Sequence, residues 1–415
     1  MSGALTRRGF VTASAAFAAH RLVAGVAGLA DASLPAWRAG ELEIHFIHTG
    51  VGEQTFMVFP DGTTLLLDCG DTHHAKYMKD VPPMPSAERY GGEWVARYIR
   101  RRLSCREIDY AMVSHWHGDH TGDLAFGGKR TPDGRVVCGL PLVGEDFRFR
   151  HFFDHQHPTF AAHAKDPDDG SLRLMREWLP RACAAGMRHR RFEVGALNQI
   201  ALLKDAAAYP TFEIRNIAAN GVIWDGATGT VDAAAVQVAK TGEDAIHENR
   251  LSSAIRIRYG KFSYYTGGDN ELTMVGADGR AFSWEGLIGR TVGPVDVCKT
   301  NHHAGCFGMT PEFVREVRAK VYLSSVLQAR MVDHKSLSAM CSRELYPGDR
   351  IVCFGHVADG VKDVAAAYGD AVAPAGHAVV KVAPGGDTFT VFVTSAADER
   401  DRVIYRRDFK SGGVC

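Results

Sequence analysis

DYAMVSHWHGDHTGD, residues 109–123, is the stretch that most limits what this chain can become. A short apolar run with the length of a buried strand is followed at once by His115, His117, Asp119 and His120, in the pattern H-x-H-x-D-H. A polar loop after a strand would explain the change in hydropathy but not the choice of side chains. Two histidines two residues apart in a turn can converge on one cation, and the Asp-His pair behind them can serve a second. Zinc takes such nitrogen and carboxylate ligands, and a catalytic site keeps a position open for water. The remaining ligands must then arrive from other strand ends.

Two later clusters meet that requirement. Asp269, in YYTGGDN, ends a strand, and the two glycines before it let the backbone turn tightly. A carboxylate there can bridge two ions. His302 and His303, in KTNHHAGC, end the next strand and can complete the second site, with His302 taken as the ligand. Asp119 and Asp269 are also the candidates for holding or shuttling a proton.

The rest of the chain reads as one large two-layer α/β domain. ELEIHFIHTG (41–50) alternates like a strand, TFMVF and TTLLLDCG follow, and PDGT turns between them. SAERYGGEWVARYIRRRL (86–103) and LRLMREWLPRACAAG have helical spacing. SSAIRIRYGKFSYYT reads as a hairpin turning at Gly260-Lys261. VDVCKT, VYLSS, IVCF, HAVVKV and TFTVFV are further strands, with DVAAAYG a helix among them, and PEFVREVRAK is a helix capped by Thr310 with Pro311 at its first position. The segment from about 140 to 240 is less regular and reads as an insertion. Residues 33–40 read as a linker and 396–415 as a C-terminal tail.

With equal numbers of basic and acidic residues, 48 each, the chain carries no strong nucleic-acid signature. The basic runs at 98–103 and 188–192 read as solvated surface. Nine cysteines, odd in number and without a CxxC pair, do not read as a disulfide framework or zinc knuckle. No stretch approaches the roughly 18 apolar residues of a transmembrane span. TRRGFVTASAAFAA, with Arg7 and Arg8 ahead of an Ala-rich run and Ala-Asp-Ala at 30–32, predicts a twin-arginine export signal over 1–32, and hence a periplasmic or secreted protein.

EIHFIH, FPDGTTLLLDCG, NRLSSAIRIRYGKFSYYTGGD and KTNHHAG, together with the H-x-H-x-D-H motif, resemble the metallo-β-lactamase-fold metallohydrolases. The likeness is to the branch found in competence-type DNA-uptake channels (ComEC-type) and covers about 41–395. It implies an α/β fold, an αββα sandwich of two mixed β-sheets flanked by helices. It implies two metal ions, most simply Zn2+ with Mn2+ or Fe as alternatives, bound by His115, His117, Asp119, His120, Asp269 and His302. Asp68 becomes a residue that orients ligand histidines. A further ligand is expected from FRHFFDHQHPTF (149–160), where His155 leads, Asp154 is next, and His151 and His157 are available. Cys306 stands where the branch has Ser, and reads as a small packing residue that can alternatively coordinate or be oxidised. Trp224, Tyr264 and Tyr265 read as core.

The activity implied is hydrolysis by a metal-held hydroxide, on phosphodiester bonds by the branch likeness. Acyl hydrolysis of the β-lactamase or lactonase type is the alternative, and a secreted, non-catalytic metal-binding module is the non-enzyme reading. The near-neutral charge favours a small-molecule or short phosphodiester substrate over a long duplex.

Overall fold

The structure, a computed structural model, describes residues 32–73, 78–158, 169–232, 247–275, 280–326, 334–357 and 359–412. Residues 1–31 of the expected export signal lie outside the described residues. Two sheets stack face to face. The first has nine strands, in spatial order Val403–Lys410, Thr388–Thr394, His377–Val382, Leu42–Phe46, Gln54–Val58, Thr64–Cys69, Glu107–Met112, Arg148–Asp154 and Arg188–Arg191. The second has eight, in order Val231–Asp232, Val222–Trp224, Phe212–Ala219, Ala254–Tyr259, Phe262–Thr266, Val297–Lys299, Val321–Ser324 and Ile351–Phe354. Each sheet is antiparallel on one side and parallel on the other: the first from Thr64–Cys69 to Arg188–Arg191, the second from Phe262–Thr266 to Ile351–Phe354.

Hydropathy explains the stacking. Leu42, Ile44, Met57, Leu65, Leu67, Tyr110 and Met112 of the first sheet share one buried cluster with Ile214, Ile255, Ile257, Phe262, Val297 and Leu323 of the second. Each side chain removed from water there contributes about 1.5–3 kcal/mol. The opposite face of the first sheet is covered by helices Gly91–Arg100 and Asp169–Ala184, which add Val95, Ile99, Leu172 and Met175 to a second cluster. Helices Trp284–Val292, Pro311–Val317 and His334–Cys341 cover the second sheet with Trp284, Ile288, Phe313 and Leu337. This is the αββα sandwich expected from the sequence.

Local signals account for several boundaries. The Phe313 amide donates to Thr310 Oγ1 at 3.3 Å, and Pro311 opens the helix. Gly260, with φ +55°, supplies the left-handed turn of the hairpin. The segment 140–240 contributes to both sheets, with Arg148–Asp154 and Arg188–Arg191 on one and Phe212–Ala219 on the other. Arg188–Arg191 escapes hydropathy because three of its four residues are exposed, and charge on an edge strand blocks further pairing. The segment 396–415 is not a tail, because Val403–Lys410 pairs antiparallel with Thr388–Thr394. The basic run at 98–103 helps anchor this end: Arg101 pairs with Glu399 and Asp401, each at 2.9 Å, and Arg102 with Asp401 at 2.6 Å. Among the described residues, no helix is long and apolar enough to cross a membrane.

Candidate metal centre

The carboxyl ends of the parallel strands from both sheets deliver the polar side chains. Open sheets place ligands at such ends, where chain direction and loop reversals leave a crevice. Thr64–Cys69 delivers Asp68, Glu107–Met112 delivers residues 114–120, and Arg148–Asp154 delivers His155. On the other sheet Phe262–Thr266 delivers Asp269, Val297–Lys299 delivers Lys299 and the Asn301–Ala304 turn, and Val321–Ser324 delivers Ser325.

The motif turn sits directly on the end of Thr64–Cys69. A Cβ on Gly70 would lie 1.8 Å from the carbonyl oxygen of Asp119, so only glycine permits this approach. The Glu53 amide donates to that same carbonyl at 2.7 Å. Asp68, at φ +56°, accepts from the Ser114 amide at 2.6 Å, from Ser114 Oγ at 2.8 Å and from His120 Nδ1 at 2.9 Å. The carboxylate thereby fixes the His120 ring and leaves Nε2 facing inward, as outer partners of ligand histidines do.

Four residues meet at the centre. Glu53, His120, Asp269 and His303 each offer a ligand atom, and these atoms lie within 4.8 Å of one another. His120 Nε2 is 3.3 Å from Asp269 Oδ1, and His303 Nε2 is 3.1 Å from Asp269 Oδ2 and 2.9 Å from Asp119 Oδ2. His120 Nε2, His303 Nε2 and Asp269 Oδ1 are nevertheless buried without a properly formed hydrogen bond. Buried polar atoms are normally satisfied. Three unsatisfied atoms of ligand type facing one another fit a divalent cation.

Without one, raised imidazoles and a buried ammonium offset most of the acidic charge. Burial lowers the His303 imidazole, but Asp269 and Asp119 overcome this and push it up to about 9. His120 is raised in the same way against burial by Asp269, Asp119 and Asp68. Burial works to raise Asp269, and His303 and His120 hold it well below the usual carboxylate range instead. Lys299 Nζ, fully buried, lies 2.9 Å from Glu53 Oε1, 3.6 Å from Asp269 Oδ1 and 2.7 Å from the Gly268 carbonyl.

His115 and His117 form a neighbouring pair, with Nε2 of the first 3.1 Å from Nδ1 of the second. Burial, then His120 and His117, push the His115 imidazole well down, so it is neutral. Two imidazole nitrogens at this separation suit a cation ligated by both. His155 is fully buried behind Trp116, with Nδ1 2.7 Å from Asn220 Oδ1 and Nε2 3.0 Å from Glu248 Oε1.

His302 does not enter the cluster. His302, His303 and Ala304 all have left-handed backbone, φ +44°, +53° and +56°. Such a run costs on the order of 1–3 kcal/mol per residue and persists where the surroundings enforce it. The turn sends His303 inward and His302 outward, where its Nδ1 lies 2.9 Å from Glu271 and its ring stacks on Phe307. Of the loop candidates, Asp154 accepts from the Gln156 and His157 amides and pairs with His189, so it serves as a turn anchor. His151 lies against Tyr110, and His157 against His189. Cys306 is exposed and does not pack as expected. Tyr264 and Tyr265 are core, and Trp224 packs partly buried against it under Arg215.

Glu53, Glu248 and Lys299 were not anticipated. A lysine closing the apolar strand VDVCK was the available signal, since a buried ammonium demands a carboxylate. Glu53 and Glu248 lie in irregular segments where no periodicity marks them.

Residues 48–157 match the metallo-beta-lactamase superfamily, a span that holds Asp68, the whole H-x-H-x-D-H motif and His155. No curated protein matches the chain. The chain thus carries a metallo-β-lactamase-fold domain, and the superfamily together with the buried His/Asp/Glu cluster suggests a metal-dependent hydrolase.

Proposed function

We propose that the protein is a dinuclear, zinc-dependent phosphodiesterase acting on a small or short phosphodiester. The observation that supports the metal reading best is the set of three buried, unsatisfied ligand atoms of His120, His303 and Asp269. In this reading His115, His117 and His155 would hold one ion, and Asp119, His120, Asp269 and His303 the other. Bound ions of this kind supply Lewis acidity, lowering the pKa of water and stabilising charge that develops on the substrate.

The chain's own residues do the remaining work. Asp68 and Ser325 fix the rings of His120 and His303, the latter through a 2.6 Å contact to Nδ1. Ser252 Oγ accepts from the Asp269 amide at 3.1 Å and holds that residue in place. Lys299 offsets the acidic side chains around it. Asp119, buried like the rest, is held ionised against its burial by His120 and His303.

Phosphodiester chemistry is supported by the motif likeness to the DNA-uptake branch. The metal-loaded protein is expected to cleave bis-nitrophenyl phosphate faster than a β-lactam or lactone, and His117→Ala to abolish this with the fold intact. Faster, His117-dependent turnover of a lactam or lactone would move the protein to acyl hydrolysis. Bound metal without any turnover would make it a binding module. Export belongs to the same proposal: replacing Arg7 and Arg8 by lysine should retain the precursor inside the cell, and a native cytoplasmic protein with 1–32 intact would refute it.

A further inference from the structure

Glu53 is the one member of the buried Glu53, His120, Asp269 and His303 group to which the dinuclear reading gives no part. It lies immediately before the strand Gln54–Val58, and both of its carboxylate oxygens are already engaged. Oε1 lies 2.9 Å from Lys299 Nζ, and Oε2 accepts from Ser325 Oγ at 3.0 Å. Its main chain is engaged as well. The amide donates to the Asp119 carbonyl at 2.7 Å, and the carbonyl accepts from the Gly70 amide at 3.1 Å.

These contacts lead to three residues of the same pocket. The main chain reaches Asp119 directly. Lys299 passes on to Asp269, with Nζ 3.6 Å from Oδ1. Ser325 passes on to His303, whose Nδ1 lies 2.6 Å from the hydroxyl oxygen. The direction of that last bond follows from counting protons. A carboxylate only accepts, so the single hydroxyl proton of Ser325 points at Glu53. The hydroxyl oxygen is left to accept from His303, and the ring carries a proton on Nδ1. Once the ring is neutral, Nε2 keeps the lone pair that a cation needs, 2.9 Å from Asp119 Oδ2 and 3.1 Å from Asp269 Oδ2. His120 reaches the same tautomer directly, through Asp68 at 2.9 Å from its Nδ1.

We propose that Glu53 is a positioning residue for the ion of this pocket: through Ser325 it fixes the tautomer of His303, and through Lys299 it steadies Asp269. It does for His303 what Asp68 does for His120, with a serine interposed. The proposal rests on the dinuclear reading given above, and it predicts a specific failure for the isosteric amide. In Glu53→Gln the side-chain oxygen must face the Lys299 ammonium, because an NH2 group there would meet a cation. The NH2 group then donates to Ser325 and turns the hydroxyl proton towards His303. The ring proton moves to Nε2, the wrong nitrogen for a metal.

The test uses the full-length protein labelled with 15N at histidine, with the His303 signal identified by its loss in His303→Ala. Spectra are taken without metal at about pH 10.5, above the His303 value of about 9. Wild type should carry the His303 proton on Nδ1, and Glu53→Gln on Nε2. Zinc titration followed by calorimetry should show one of the two ions bound at least about tenfold more weakly in Glu53→Gln. Ser325→Ala should let both tautomers appear and weaken the same ion, and adding Glu53→Gln to it should leave that tautomer mixture unchanged. Wild-type zinc affinity in Glu53→Gln would overturn the proposal. So would loss of the ion with the Nδ1 tautomer retained, which would make Glu53 a ligand instead. An unchanged tautomer in Ser325→Ala would also overturn it, and gives an answer even if Glu53→Gln fails to fold. Wild type binding no zinc would overturn the dinuclear reading itself, an outcome separate from the tautomer, which is read without metal.

Discussion

The two candidate pockets lie side by side on adjoining strand ends, yet they carry very different amounts of charge. The pocket of His120, Asp269 and His303 gathers carboxylates and answers them with raised imidazoles and the buried ammonium of Lys299. The pocket of His115 and His117 keeps its ring neutral, with burial as the main cause, and the carboxylate on that side, Glu248, is already engaged with His155. Unpaired charge is costly inside a protein, so a site without its metal either fills with compensating protons or stays uncharged. The first gathers several charges of both signs, and the second combines one ring held neutral, His115, with a single His155–Glu248 ion pair. Metal binding at both would displace protons on both sides, more of them at the first.

Removing the Asp269 carboxylate should break this arrangement most severely. Asp269→Asn leaves His120, His303 and Lys299 facing one another without their central anion. The metal-free protein is expected to lose roughly 3–5 kcal/mol, the usual cost of stripping one partner from a buried ion pair. Elemental analysis should show at least one ion lost. A variant with two ions and wild-type denaturant stability would show that Asp269 holds neither the charges nor the metal.

His303→Ala should come next, costing one ion while the other is retained. The neighbouring pocket does not depend on this ring, and metal titration followed by calorimetry would show one binding event in place of two. If both ions disappear, the two pockets are a single cooperative unit and the contrast between them fails.

A pH series on metal-free protein sharpens the contrast without mutation. His303 stands at about 9 in the folded protein, above its ordinary 6.5. Its contribution is therefore fully present below about pH 6.5 and is lost as pH rises through about 9, on the order of 1–3 kcal/mol. His48 and His377 run the other way. Burial holds each at about 3, so they weaken the fold as pH falls below 6.5 towards that value. Urea unfolding should thus show stability falling on both sides of neutrality, and added zinc should restore the alkaline side alone. A flat profile from pH 6.5 to 9 would mean that His303 is not held as a cation.

Much of this architecture was legible because hydropathy and spacing are local. The strands Leu42–Phe46, Thr64–Cys69 and Ile351–Phe354 and the capped helix at Thr310 follow from alternation and caps that need no partner. The H-x-H-x-D-H motif and Asp269 were legible for the same reason, being ligand-type residues at apolar strand ends. Arg188–Arg191 and Val403–Lys410 were not, because edge strands carry polar residues that look like loop or tail. Glu53 and Glu248 were hidden more deeply. Each acts across a sequence distance that only the folded sheets close, Glu53 to Ser325 and Glu248 to Trp116.

The choice between His302 and His303 belongs to the same class, and its test carries the smallest expected effect. Adjacent histidines are equivalent in sequence, and an extended or helical backbone would point them to different faces without saying which face is inside. Three successive left-handed residues settle it, since the Asn301–Ala304 turn aims His303 at Asp119 and Asp269. His302 contacts Glu271, the Asn249 amide at 3.3 Å and the exposed Phe307 ring. His302→Ala should therefore keep both ions and cost only about 1 kcal/mol of stability, the scale of a partly exposed polar contact. Loss of an ion in His302→Ala, with both retained in His303→Ala, would show that the turn adopts the opposite orientation when metal is bound.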